Sequence, residues 1–245
     1  MVKGFKFFKY NDISSVKMLF EELKKNDQKV SGVLIEPIQG EGGVIPGDKL
    51  FFKELREICN QNNSLLILDE VQSGVGRTGK MWGYENLEIE PDGFTLAKGL
   101  GGGHAIGALL VQKKANIFFP GDHASTFGGN PFACKAALTV LEEIKRRKIL
   151  NNVIERGTQL NEGLTKIAVK FPKIINCIRG LGLIQGLVIN DAYTNPKKIT
   201  LKAFDKGLLL VPAGGNVVRF VPPLIITRNE INILLKKLDL IFEEM

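Results

Sequence analysis

The chain has 245 residues, 44% hydrophobic and 24% charged, the balance of a globular protein able to bury a sizeable core. No apolar run is long enough to span a bilayer and no charged-then-apolar leader is present, so a membrane is set aside and a cytoplasmic location expected. The net charge of +7 is densest at Lys145-Arg146-Arg147-Lys148, at the end of an expected helix and without interleaved aromatics, which sets nucleic acid aside as well. Three cysteines far apart, Cys59, Cys134 and Cys177, give neither a disulfide framework nor a metal cluster and fit a reducing compartment. Two histidines do not supply a histidine metal site.

In chain order, Gly4–Tyr10 leads through Asp12 into a helix and has the texture of the middle of a domain. Val30–Glu36 reads as a short strand and Leu65–Asp69 as a stronger one, apolar throughout as a buried parallel strand should be. Phe51–Cys59 carries helical periodicity, with Asp48 as its N-cap. Further strands are expected at Phe94–Ala97 and Ile106–Val111. This half reads as a doubly wound α/β layer with glycine-rich loops after the strands.

Helices are expected over Asn130–Arg147 and Asn151–Phe171. Strands follow at Ile174–Arg179 and Leu183–Ile189, a helix at Pro196–Lys206, and strands at Leu208–Val211 and Val217–Phe220. Thr227-x-x-Glu230 is a capping box opening a final amphipathic helix. The change of texture places a domain boundary near Asn151, between residues 1–150 and 151–245.

Four sites carry chemistry. Asp69 ends a buried strand, at the crevice edge where open α/β sheets take ligands. Lys98 follows the next strand, where a lysine is costly unless paired or chemically used, and glycines at 99, 101, 102 and 103 let backbone approach closely. Ser125-Thr126-Phe127-Gly128-Gly129-Asn130-Pro131 puts hydroxyls and backbone N–H groups ahead of a helix, which suits a phosphate. Arg219 lies within an apolar strand and needs an anionic partner. Two decoys fail on context. Gly74-x-x-x-x-Gly79-Lys80 resembles a P-loop but continues into Met81-Trp82-Gly83, without the metal-binding hydroxyl or a good helix start. Gly99–Gly103 has no long helix after it for a dinucleotide fold.

Together these segments resemble the class III, ornithine-type aminotransferases of fold type I, and most closely the branch acting on N-acetylornithine. The matching stretches are Glu36–Gly43 (EPIQGEGG), Leu68–Gly79 (LDEVQSGVGRTG), Leu96–Gly103 (LAKGLGGG), Pro120–Pro131 (PGDHASTFGGNP) and Val218–Leu224 (VRFVPPL). The resemblance implies a mostly parallel sheet in a large cofactor domain and a smaller C-terminal α/β domain. It implies pyridoxal 5'-phosphate, bound covalently by Lys98, with Asp69 on the pyridine nitrogen and Gln72 on the ring hydroxyl. Thr126, with Ser125, would hold the phosphate across a homodimer interface. Arg219 would clamp the substrate carboxylate, with Glu41 as its resting partner. The implied reaction moves the δ-amino group of N-acetylornithine to 2-oxoglutarate, in arginine biosynthesis. Ornithine, succinylornithine or another ω-amine donor is the close alternative, and a cofactor-free fragment the distant one. Family members carry a phosphate loop and a ring-stacking aromatic upstream of the position matching Met1, so a partial chain is expected.

Overall fold

A computed structural model describes residues 3–245. The first half is built on a four-stranded sheet of order β1-β4-β5-β6: β1 (Gly32–Ile35), β4 (Leu65–Asp69), β5 (Gly93–Leu96) and β6 (Ala108–Val111). The β1–β4 and β4–β5 pairs are parallel and β5–β6 is antiparallel. This is the mostly parallel sheet expected, closed by one reversed strand. Ile106 and Gly107, expected in that last strand, lie outside the ladder.

Helices α1 (Ile13–Lys25) and α2 (Lys49–Gln61) cover one face of this sheet. Asp12 and Asp48 cap them by accepting from Ser15 N and Phe51 N. Their apolar sides, with Val16, Phe52 and Leu55 fully buried, pack on Val33, Ile35, Leu66 and Leu68. Burial of each such side chain stabilises the fold by roughly 1.5–3 kcal/mol. The other face is only partly covered: Leu34 is 62% and Leu109 50% exposed. The expectation that Leu65–Asp69 is buried on both faces is therefore corrected, because alternate residues of β4 are half-buried.

Two long helices come next, α3 (Pro131–Arg146) and α4 (Ile149–Lys170), separated by Lys148 in a left-handed conformation. The C-terminal sheet is wholly antiparallel, of order β7-β8-β10-β9, from β7 (Ile175–Leu181), β8 (Ile184–Ile189), β9 (Val211–Ala213) and β10 (Val217–Phe220). Helices α4, α5 (Pro196–Asp205) and α6 (Arg228–Glu243) contribute to the core on one of its faces, around Leu160, Leu164, Leu187, Phe220 and Phe242. The Thr227–Glu230 capping box opens α6 as expected.

The opposite face of this sheet meets a small hairpin, β2 (Ile38–Gln39) with β3 (Ile45–Pro46). Ile38 and Val44 pack against Ile184, Val188, Ala213 and Val217. Along β10, Val218 and Phe220 enter the helical core while Val217 faces the hairpin. Alternation along a strand gives Arg219 the same side as Val217. That placement fixes the site.

Candidate active site

The turn of the β2–β3 hairpin carries Glu41, and its backbone is held on the C-terminal sheet. Gly214 N–H donates to Glu41 O at 2.8 Å, and Arg179 Nε to Gly43 O at 2.8 Å. Glu41 therefore meets Arg219: the guanidinium Nη1 donates to Glu41 Oε1 at 2.7 Å and to Gln72 Oε1 at 2.9 Å. Gln72 Nε2 closes the triangle on Glu41 Oε1 at 3.1 Å. The Arg219 side chain is 8% exposed and that of Glu41 70%. The arginine's hydrogen bond holds the Glu41 carboxyl below the usual range; desolvation opposes it, and the arginine's charge adds to it. Among the described residues, Arg219 Nε is buried without a hydrogen-bond partner. The anionic partner required by an arginine in an apolar strand is thus Glu41.

Asp69 ends β4 with Oδ1 accepting from Val71 N at 3.0 Å and from Thr95 Oγ1 at 3.4 Å. Lys98 follows β5 and opens a short 3-10 turn (Lys98–Gly101). Its side chain is exposed, so the expected cost of burial does not arise. The cost lies in the backbone: φ is +45°, a left-handed conformation worth about 1–3 kcal/mol of strain in a non-glycine residue and concentrated at functional sites. Lys98, Glu41, Gln72 and Arg219 line one cavity of about 740 Å³.

Ser125 and Thr126 stand apart. They lie in an exposed loop and line no wall of that cavity. Ser125 Oγ accepts from Gly128 N at 3.0 Å, and the start of α3 is already capped by Asn130 Oδ1 on Ala133 N at 2.9 Å. The same loop exposes Ile117, Phe118, Phe119 and Phe127.

Two groups were not singled out as site residues from the sequence. Arg77 lines the same cavity as Lys98. Glu36 comes one residue past the paired Ile35 and Leu68, which makes it the strand-end neighbour of Asp69. Its Oε2 accepts from Gly40 N at 2.8 Å. Desolvation raises its pKa above the ordinary carboxylate value; the Gly40 bond opposes this, Asp69 adds to it, and Lys98 opposes it. Strand register would have found Glu36, since parallel neighbours end together.

A carboxyl whose folded pKa is raised binds its proton more tightly folded than unfolded. Stability therefore falls as pH rises from the unfolded value, about 4.3, through the folded one. Glu36→Gln removes that titration and keeps an acceptor for Gly40 N. Melting curves should show the glutamine variant gaining on the parent as pH rises from the unfolded value through the raised folded one. A constant difference across that range would contradict the assignment.

The Aminotransferase class-III family model matches residues 1–242. A relative from Prochlorococcus marinus subsp. pastoris, named acetylornithine aminotransferase, is 89% identical over the whole chain, which spans 59% of that relative's length. Among solved structures, ornithine aminotransferase from Toxoplasma gondii aligns with a TM-score of 0.91 at 33% identity, covering 100% of this chain and 57% of that one. Acetylornithine aminotransferase from Elizabethkingia anophelis aligns at 0.89 and 33%, covering 100% and 64%. The chain belongs to the class III aminotransferases, a family whose cofactor is pyridoxal phosphate.

Proposed function

We propose that the protein moves the δ-amino group of N-acetylornithine to 2-oxoglutarate, with Lys98 and Asp69 as its catalytic residues. The observation that carries this is the Glu41–Gln72–Arg219 triangle on the cavity that Lys98 lines. The name borne by the 89% identical relative supports the choice of donor. The 0.91 alignment with an ornithine aminotransferase favours ornithine as the second candidate, and comparing turnover of the two amines decides between them.

The residues present fit the ring end of the cofactor. An exposed amine at Lys98 and a carboxylate at Asp69 suit its aldehyde and its ring nitrogen, and the Gln72 amide suits the ring hydroxyl. A Cβ at Gly40 would stand inside the Gln72 side chain, so glycine there makes room for that amide. When bound, pyridoxal phosphate supplies an aldehyde that condenses with amines and a ring that accepts the electron pair of a breaking C–H bond. Lys98 Nζ would take the proton from the substrate's amine-bearing carbon and deliver it to the cofactor's former aldehyde carbon on the other side of the nitrogen. The Asp69 carboxylate keeps a proton on the ring nitrogen. Arg219 receives the substrate carboxylate in a charge-assisted bond. Glu41, exposed at its side chain and held at its backbone, turns away when a second carboxylate must enter.

Thr126 and Ser125 hold the cofactor phosphate of a second copy in this reading, and the exposed apolar side chains of their loop are the homodimer contact. Residues 1–150 form the large domain and residues 151–245 the small one. No helix among the described residues is long and apolar enough to cross a membrane, and we place the protein in the cytoplasm.

Arg219→Ala tests the clamp. A lost charge-assisted bond of about 1.5–3 kcal/mol lowers kcat/KM roughly 10- to 150-fold, mainly through KM. The exposed Glu41 left behind returns to water without penalty. Steady-state kinetics showing an unchanged KM for both carboxylate substrates would refute the role.

A further inference from the structure

Arg77 is a cation without an anion. It lies in the tight turn after Asp69 and Gln72, and among the described residues no carboxylate lies within salt-bridge distance of it. Its Nη1 donates instead to two backbone carbonyls, Leu183 O at 3.0 Å and Pro222 O at 2.5 Å. The Arg77 carbonyl accepts from Leu183 N at 3.0 Å, so backbone and side chain grip the same hairpin. Burial lowers the guanidinium pKa to about 10, the mark of a charge held where water would serve it better.

The contact is built at backbone distance. A Cβ at Gly182, whose φ is +53°, would come within 2.6 Å of the Thr78 carbonyl carbon, so only glycine lets the two turns meet. Pro222 follows Arg219 by three residues, and the β10 ladder ends at Phe220. Beyond it, Arg77 holds Pro222 O, and Asn152 Nδ2 holds Leu224 O at 2.8 Å and Ile226 O at 3.0 Å. The strand end bearing the carboxylate-binding arginine is thus tethered to the turn that bears Gln72.

We infer that Arg77 is a positioning residue: by gripping the Leu183 and Pro222 carbonyls it sets where Arg219 stands against Glu41 and Gln72, and so where a substrate carboxylate is received. A planar guanidinium suits this, since its donors have fixed directions and it stays charged where an ammonium would readily lose its proton. In turnover, its loss raises KM for carboxylate substrates and leaves kcat nearly unchanged. The inference rests on Arg219 being the carboxylate clamp, but the geometry it asserts can be read without substrate.

The test is nuclear magnetic resonance on the cofactor-free 245-residue chain and its Arg77→Ala and Arg77→Gln variants. It reads the exchange rate of the Arg219 guanidinium protons and the titration midpoint of Glu41. Both variants should speed Arg219 exchange by about tenfold or more and move the Glu41 midpoint up, because the bond that depresses it is loosened. If the alanine variant does not fold, the glutamine variant is read alone. Unchanged exchange and midpoint in a folded variant, even one with a lower melting temperature, would make Arg77 a structural staple only. A raised midpoint with unchanged exchange would mean that Arg77 acts on Glu41 by charge alone, which also overturns the inference. Failure of transamination with Arg219 exchange accelerated would count against the proposed reaction and leave the positioning role standing.

Discussion

Lys98→Ala abolishes covalent attachment of pyridoxal phosphate and lowers transamination by at least about 10²–10⁴-fold, the range lost with a positioned acid–base group. The expectation rests on three observations made independently. The side chain is exposed on the wall of the cavity shared with Gln72 and Arg219. The backbone is held at φ +45° where the chain leaves β5 for the short 3-10 turn. The strand paired with β5 ends in Asp69, and Glu36, just past β1 on the far side of that strand, feels the charge of Lys98. Borohydride reduction of protein mixed with pyridoxal phosphate, followed by peptide mass analysis, should place the cofactor on Lys98. Lys80 and Lys113 are also exposed and serve as internal controls. Label on either of them in preference to Lys98 would end the assignment.

Local signals in the sequence carried far. Asp48 and Thr227 were legible as caps because a short side chain ahead of an apolar helical pattern has one good use. Leu65–Asp69 and Val217–Phe220 match the observed strands to the residue, since apolar runs flanked by polar turns leave little choice of limits. The strand expected at Leu208–Val211 begins instead at Val211 and runs to Ala213. The reason is a competing local motif: Gly207 N and Leu208 N donate to Phe204 O and Ala203 O, closing α5 and using the residues that would have begun the strand. The β2–β3 hairpin, with two residues in each strand, has no periodicity to detect, although it delivers Glu41.

At the site, Arg219 announced its need for an anion through its apolar neighbours, but nothing local could say that Glu41 answers it. That pairing joins residues 178 positions apart and depends on a hairpin packing against the far face of a sheet. Glu36 and Arg77 were hidden for the same reason. One acquires meaning only through strand register, the other only through the carbonyls it reaches.

Asp69→Asn should fail in a different way from Arg219→Ala. The aspartate uses Oδ1 to accept from Val71 N and Thr95 Oγ1, and an asparagine oxygen of the same shape can keep both bonds. Fold and cavity are therefore preserved, and the change is confined to one negative charge. Besides its effect on neighbouring Glu36, that charge matters where positive charge must be held on the ring nitrogen as the C–H bond breaks. Removing a preorganised electrostatic partner costs about 10²–10³-fold in the chemical step. Single-turnover measurements should show that loss in kcat, with KM within about threefold of the parent and the melting temperature nearly unchanged. The contrast is diagnostic, because Arg219→Ala loses binding and Asp69→Asn loses rate. Both carboxyl groups at the strand ends enter the comparison, since Glu36 stands beside Asp69 and burial favours its neutral form. If Asp69→Asn raised only KM, the residue would be a binding group like Arg219, and the protonated-ring role would have to be withdrawn.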